Sequence, residues 1–288
     1  MQPNGLIRIA VQKAGRLLEG SLGLLRQMGL EIETYKDRLF AHCRNLPVDV
    51  LFLRDDDIPE YVQDGVADMG IIGSNLLEET GVVVDRLLSL NFGFCSLCLA
   101  VPEQSRITSV PQLNGKRIAT SYPATLQRYL DRQGIAAKVV VLRGSVEIAP
   151  ALQIAEAVCD LVSTGSTLRT HGLKILATVL HSQAVLVARQ KLNGEKRALM
   201  ERLLLRARGV EEARKYRYVM FNIAADAVEA VKRFLPGCKS PTVVPLAEPG
   251  YVAVHTMLLE ETFWEVVERI SSCGGTDIIV TPVEKFLR

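Results

Sequence analysis

Hydrophobic positions along this chain fall into short apolar runs separated by segments with helical spacing, and the alternation restarts once. LIRIAVQ (6–12) is a near-continuous apolar run, the pattern of a parallel strand covered on both faces. GRLLEGSLGLLRQMG comes next with apolar residues at helical spacing and stops at Gly29. VDVLFL (48–53) predicts a second strand and ADMGIIG (67–73) a third, closed by a glycine turn. Between them RDDDIPEYVQDG predicts a helix capped by Asp57, with Pro59 in its first turn and Glu60 completing a capping box.

From about Phe92 the pattern begins again. GFCSLCLAV (93–101) reads as a strand, GKRIATSYPATLQRYLDRQG (115–134) as strand, polar turn and helix, and KVVVLRG (138–144) as a strand, with CDLVSTGST (159–167) supplying another. QAVLVAR (183–189) reads as a returning strand, succeeded by a helix over EKRALMERLLLRARGVEEARK. The chain is therefore expected to build two α/β lobes, lobe I from 1–91 and 180–212 and lobe II from 92–179, with a cleft where it crosses between them. The last segment differs. It reads as strand YRYVMFNI (216–223), helix 225–235 stopping at Pro236-Gly237, strands TVVPLA and YVAVHTML, amphipathic helix EETFWEVVERISSCG and strand DIIVTP. That βαββαβ order is the ferredoxin-like split unit and marks a third domain over 213–288, of a kind that often senses a small ligand.

Composition narrows the class. Of 288 residues 48% are hydrophobic and 23% charged, enough for a sizeable core and too apolar for disorder. A net charge of +2 with no basic block or acidic tail is too balanced to suggest a nucleic-acid binder from electrostatics alone. The longest uncharged stretch, Leu87 to Pro102, is interrupted by Asn91, Gly93 and serines and falls short of a membrane span. With no apolar leader at the start, the expectation is a soluble cytoplasmic protein with no membrane partner. Cys95 and Cys98 form a CxxC, but no second pair accompanies it and its strand setting turns the two thiols to opposite faces, so the cysteines read as structural.

The chemistry concentrates in CDLVSTGST (159–167). Ile154 to Val158 reads as a buried helix leading through an apolar pair into Ser163, Thr164, Gly165, Ser166 and Thr167, with a further helix starting at Leu168. Free N–H groups at a helix start bind phosphate, hydroxyls add donors, and Gly165 permits close backbone approach. A simple N-cap cluster is the plainer reading, but one hydroxyl satisfies a cap and here four of five residues carry one. Asp160 reads two ways, as a cap or as an acceptor for two vicinal sugar hydroxyls beside the phosphate. A carboxylate there also steadies positive charge developing in the ring. Glu147, in RGSVEIAP, falls in the same strand-end zone and fits a second acceptor, or an ordinary surface glutamate. Ser121 and Tyr122 of TSYP form a similar turn. In lobe I, Gln12, Lys13 and Arg16 come after strand one at the end where open α/β sheets bind ligands, although solvated charges would also explain the two cations. RDDD (54–57) could hold Mg²⁺, but one aspartate is better spent on the helix cap.

These residues carry a resemblance. EIAPALQIAEAVCDLVSTGSTL resembles the phosphoribosyl-diphosphate motif of the long-form ATP phosphoribosyltransferase family, and IAVQKAGRL, LRDDDIP, DMGIIGSN, NGKRIATSYP, SPTVVPLA, VAVHTM and GTDIIVTPVEKF resemble its other blocks in collinear order. The resemblance implies an α/β fold with a periplasmic-binding-protein-like (type II) two-lobed body and an ACT-like regulatory domain. It implies condensation of ATP with 5-phosphoribosyl 1-diphosphate to N1-(5-phosphoribosyl)-ATP, the first step of histidine biosynthesis, with Mg²⁺ travelling on the diphosphate and its protein ligands unassigned. Residues 163–167 would hold the 5-phosphate, and Asp160 and Glu147 the ribose hydroxyls. Gln12, Lys13, Arg16, Arg54, Gly73, Ser121 and Tyr122 would face ATP or diphosphate. The family's third domain binds L-histidine as feedback inhibitor, in hexamers in equilibrium with active dimers, and Asn222, Ser240 and Thr242 match its contact positions. Two departures stand out: Asn222 replaces an acidic residue found in some members, and Gln153 replaces a motif glycine.

Two other classes compete. A catalytically silent two-lobed regulatory subunit would lack a complete cradle, yet cradle and aspartate are intact here. A DNA-binding regulator needs a basic helix-turn-helix, and neither terminus offers one.

Overall fold

The computed structural model describes residues 5–33, 39–163, 165–235 and 240–287, apart from the side chains of Ser166 and Thr167. By its internal contacts the chain divides into one compact unit of residues 1–26 with 30–200 and another of 27–29 with 201–288.

The first unit contains two sheets. Strands β1 (Ile7–Gln12), β2 (Phe40–His42), β3 (Val48–Leu53), β4 (Met69–Gly73) and β5 (Asp85–Ser89) alternate with helices α1 (Leu18–Gln27), α2 (Ile58–Gln63) and α3 (Ser74–Thr80). Then come β6 (Cys95–Pro102), β7 (Arg117–Thr120), α4 (Pro123–Gln133), β8 (Lys138–Val141), β9 (Ala157–Val162), α5 (Ser166–Thr170), β10 (Leu173–Ser182) and β11 (Ala184–Ala188). The sheet orders are β2-β3-β1-β4-β11-β5 and β10-β6-β9-β7-β8. Leaving aside the short edge strand β2, both sheets share one plan: second, first, third, a strand inserted antiparallel, then fourth. In lobe I the inserted strand is β11, which pairs antiparallel with both β4 and β5; in lobe II it is β6, between β9 and β10. The chain thus passes from lobe I to lobe II after β5 and returns after β10, the arrangement of the type II periplasmic-binding-protein-like body. The two crossings are hydrogen-bonded to each other, Leu90 N–H to the Ala184 carbonyl at 2.9 Å and Ala184 N–H to the Phe92 carbonyl at 3.0 Å.

The apolar runs are buried as their patterns require. Ile7, Ile9, Val11, Val48, Val50, Met69 and Ile71 fill the centre of lobe I, and Leu97, Leu99, Ile118, Leu126, Leu130 and Cys159 that of lobe II. Among the helices, Gly194–Ala213 forms α6, which carries the chain from the first unit into the second.

The second unit contains β12 (Tyr216–Ala224), α7 (Val228–Lys232), β13 (Thr242–Pro245), β14 (Tyr251–Leu259), α8 (Phe263–Ser272) and β15 (Thr276–Pro282). Its sheet runs β13-β14-β12-β15, wholly antiparallel, the ferredoxin-like order. One face buries Val219, Phe221, Ile223, Val254 and Leu258 against Val228, Val231, Val266 and Ile270 of the two helices.

Several local expectations change. Residues 154–158 are not a helix: β9 begins at Ala157, because a short apolar run flanked by turns satisfies a buried strand as well as a helix, and here its neighbours β6 and β7 supply the ladder partners. Asp57 makes no side-chain cap; residues 55–57 form a 3-10 turn entered from Arg54, and α2 continues directly from it. α5 starts at Ser166 rather than Leu168. The helix expected over 225–235 is a 3-10 turn (225–227) leading into α7, and its Pro236-Gly237 stop lies outside the described residues. The strands β2, β5 and β10 are additions that the apolar runs do not announce. β10 pairs with β6 through two bulges, which break the period of two that a strand pattern shows.

Candidate functional site

The parallel strands of each lobe end at the same cleft, and the turns leading out of them build the site. After β1 the chain turns through 13–17. Gln12 is buried there, and its Oε1 accepts the Leu17 N–H at 2.9 Å. Gly15 lies at φ +110°, and a Cβ on it would sit 2.8 Å from the Gln12 Nε2. Gln12 is therefore turned inward as the support of this turn, while Lys13 and Arg16 stand exposed upon it. Lys13 N–H reaches back to the Leu53 carbonyl at 2.7 Å, joining this turn to the end of β3, where Arg54 is exposed. Neither Lys13, Arg16 nor Arg54 is held in an ion pair with any described residue. Gly73 closes β4, and a Cβ there would crowd Asn75 Oδ1, 2.3 Å away, so its place is steric.

In lobe II, Asp160 lies on β9 and Glu147 in a 3-10 turn (146–148). The two line one small cavity of about 40 Å³ together with Leu161, Val162, Ser163, Gly165 and Leu168. Burial pushes the Asp160 carboxyl above the ordinary aspartate range and Glu147 pushes the same way, against the Leu161 N–H, which donates to its Oδ1 at 2.8 Å, and the Arg16 charge. Glu147 Oε1 has His171 Nε2 at 3.9 Å. Gly165 takes φ +74°, a conformation open to glycine, as the chain enters α5. Ser163 is exposed at the end of β9; Thr164 lies outside the described residues, and Ser166 and Thr167 form the first turn of α5.

Tyr122 links the lobes electrostatically. Burial raises its phenol most, the Asp160, Asp55 and Asp56 carboxylates add to that, and Arg16 opposes. Asp56 is raised chiefly by burial and by Asp55, and lowered by Arg54 and by Arg143 of lobe II. Arg16, Asp55 and Asp56 of lobe I thus share one field with Tyr122, Asp160 and Arg143 of lobe II. Arg143 is not among the candidates named from the sequence, although it comes after β8 at the ligand-facing end and so carries the signal used for Arg16. Ser121 spends its hydroxyl proton on the Leu142 carbonyl at 2.7 Å, tying the ends of β7 and β8 together. A larger hollow of about 670 Å³ adjoins the cradle, with Ser163, Ser96, His181, Ser182 and Ser74 in its wall.

Among the described residues no cluster of three or more His, Cys, Asp or Glu side chains could hold a metal. Cys95 and Cys98 are buried free thiols. In the second unit, Ser240 and Thr242 share a hollow with Tyr218, Val244, His255 and Met257. Asn222 does not line it; its Nδ2 donates to Asp277 Oδ2 at 3.0 Å, so a carboxylate stands beside it all the same. No helix among the described residues is long and apolar enough to cross a membrane.

A two-lobed α/β body in which Asp160 and Glu147 line one cavity with Ser163 and Gly165 defines a ligand-binding cleft of the periplasmic-binding-protein-like type. Comparison makes the assignment specific: the sequence model of ATP phosphoribosyltransferase matches residues 54–209 and that of the HisG C-terminal domain residues 213–285, so the chain belongs to the ATP phosphoribosyltransferase family. An ATP phosphoribosyltransferase of Cytophaga hutchinsonii is 44% identical over 283 residues, 98% of this chain and 99% of the relative. One of Bacteroides thetaiotaomicron is 41% identical over 282 residues, 98% and 100% of the two chains. Among solved structures, a chain of the ATP phosphoribosyl transferase (HisG:HisZ) complex from Thermotoga maritima aligns with a TM-score of 0.60 at 26% identity, over 70% of this chain and 99% of that one.

Proposed function

We propose that this protein condenses ATP with 5-phosphoribosyl 1-diphosphate, giving N1-(5-phosphoribosyl)-ATP and diphosphate, as the first step of histidine biosynthesis. The observation that carries this reading is the shared cavity of Asp160 and Glu147, opening on Ser163 and Gly165. The 5-phosphate sits at the turn that leads into α5, beside Ser163 and the left-handed Gly165, where free backbone N–H groups at a helix start favour an anion. Asp160 and Glu147 accept from the ribose hydroxyls. The adenine N1 lone pair bonds to ribose C1 while the C1–O bond breaks and its electrons leave on the diphosphate. Positive charge develops on the ring in between, and the Asp160 carboxylate is placed to steady it. Lys13, Arg16, Arg54 and Arg143 supply cations for the departing diphosphate and the triphosphate of ATP. Mg²⁺ accompanies the diphosphate as part of the substrate and neutralises the leaving group. Tyr122 completes the wall of the cleft, while Gln12, Gly73 and Ser121 shape the turns that carry these donors.

The second unit serves as the regulatory domain, taking L-histidine in the hollow beside Ser240 and Thr242, while Asn222, bonded to Asp277, stands outside that hollow. Self-association into dimers and hexamers and a cytoplasmic location complete the reading. The test mixes the protein with ATP, phosphoribosyl diphosphate, Mg²⁺ and pyrophosphatase, and monitors the near-ultraviolet absorbance of N1-substituted adenine. The expected result is product formation that histidine suppresses and that Asp160→Asn reduces by about 10²-fold or more. Substrate binding without product would overturn the catalytic reading in favour of a silent binding subunit, and product formation indifferent to histidine would overturn the regulatory one.

A further inference from the structure

The first turn of α4 lacks a partner inside its own lobe. Pro123 at its start has no N–H, and Tyr122 before it makes no side-chain cap, so the Ala124 and Thr125 N–H groups are the first donors that need an acceptor. Both are met from the opposite lobe. The Glu79 carboxylate, on α3 of lobe I, accepts Ala124 N–H at 2.9 Å with one oxygen and Thr125 N–H at 2.8 Å with the other. Beside it, Arg128 of α4 donates to the Glu78 carbonyl, near the end of α3, and lies 3.3 Å from Thr125 Oγ1. The Glu78 carboxylate is itself occupied by Arg86 at 2.7 Å. A negative group at a helix N-terminus receiving two backbone donors is the favourable sense of the helix dipole and a charge-assisted pair of bonds.

This tie spans the cleft beside the reactive groups. α4 begins directly after Tyr122, and Tyr122 shares its field with Asp160, Asp55 and Arg16. Separating the lobes would break both bonds to Glu79 and leave two helix donors without a protein acceptor.

We infer that Glu79 is a positioning residue: it fastens α3 of lobe I to the start of α4 in lobe II, and so sets how far Arg16, Asp55 and Asp56 stand from Asp160 and Tyr122 when substrate arrives. As a role in the transfer reaction this rests on the function proposed above; as a bond between lobes it does not. Glu79 touches no reacting atom. Its effect is to populate the closed cleft before binding, so that substrate affinity is not spent on closure.

The test uses the full chain with Glu79→Ala and Glu79→Gln, the latter keeping one carbonyl oxygen of the two acceptors. Two readouts are combined: steady-state kinetics with each substrate varied, and the interlobe distance from spin labels at Asp64→Cys and Arg132→Cys, both exposed and at the C-terminal ends of α2 and α4. Glu79→Ala is expected to raise the KM values about tenfold with kcat changed less than about twofold, and to lengthen and broaden the interlobe distance. Glu79→Gln is expected to fall between it and the parent on both. Unchanged distances and KM values in Glu79→Ala would overturn the inference, as would a fall in kcat at constant KM. Should Glu79→Ala not fold, Glu79→Gln decides by the same two measures. A parent protein with no transfer activity would sink the proposed function but leave the distance measurement to decide the tie.

Discussion

Asp160 and Glu147 approach one cavity from different elements, a strand and a 3-10 turn, and the Glu147 charge works against ionisation of Asp160. An arrangement that raises the pKa of a carboxyl group is unfavourable for folding at neutral pH. Because the folded-state pKa lies above the unfolded one, the proton-bound form is the better tolerated. The group therefore favours the fold below its unfolded pKa, and that contribution disappears as pH rises through the folded value. Asp160→Asn is expected to lose transfer activity and yet to gain stability, by about 1 kcal/mol at pH 7. Chemical denaturation at several pH values checks this: the gain should shrink toward zero as pH falls below about 4. A variant that is both inactive and less stable at neutral pH would contradict it. The same raised pKa predicts that the acid loss of activity, as Asp160 takes up its proton, sets in at a higher pH than an ordinary aspartate would give.

Much of the fold was legible because burial imposes period. VDVLFL is β3 to the residue, and α4 ends where Gly134 closes its apolar pattern. Failures came where tertiary partners decide between equal local choices. The helix read over 154–158 gives way because the strand read in 159–167 starts back at Ala157, between β6 and β7, and β10 hid behind its bulges. The site residues were readable as types at strand ends, and Asp160, Glu147, Ser163 and Gly165 do come together. What the sequence could not show was direction. Gln12 and Ser121 turn their polar atoms back into the protein, Arg143 faces the other lobe, and Glu79 completes a helix that does not belong to its lobe.

Gln153, in place of the family motif's glycine, adopts φ +56°, a left-handed conformation at an exposed turn where its N–H is bonded to the Pro150 carbonyl at 3.0 Å. A side chain in this region costs about 1 kcal/mol or more in the folded state, whereas glycine loses more freedom on folding. The first effect outweighs the second, so Gln153→Gly is expected to stabilise by about 0.5 kcal/mol and to leave kcat unchanged. Thermal and denaturant unfolding measure this directly, and a clear loss of stability would show that the left-handed turn is not strained.

Glu156, just before β9, is bound by Arg117 at the start of β7: Oε2 accepts the Arg117 backbone N–H at 2.7 Å and Oε1 the Nη2 at 2.5 Å. Those bonds hold its carboxyl down at about 2, from an ordinary 4.5. The depressed pKa means that the ionised form supports the fold; its contribution is complete above the unfolded value and is lost as pH falls through the folded one. Stability should therefore decline between pH 4.5 and about 2 more steeply in the parent than in Glu156→Gln. Parallel slopes in an acid titration monitored by circular dichroism would refute a role for this pair.

Asp68 is the most buried carboxylate of lobe I, at the entry to β4, with its side chain only 2% exposed. Its Oδ2 accepts Arg8 N–H at 3.0 Å and Lys196 Nζ, from the first turn of α6, at 2.7 Å, while Arg189 Nε lies 3.4 Å from Oδ1. Removing the carboxylate would leave two cations facing a space from which their counter-charge had gone, and that imbalance costs more than the pair contributes when intact. Asp68→Ala is expected to lose about 3–5 kcal/mol, and Lys196→Met less, because Arg189 and the Arg8 N–H still face the carboxylate. A double-mutant cycle between Asp68 and Lys196 should give a coupling of about 1 kcal/mol or more. A coupling near zero would mean that the start of α6 is held by its apolar packing alone.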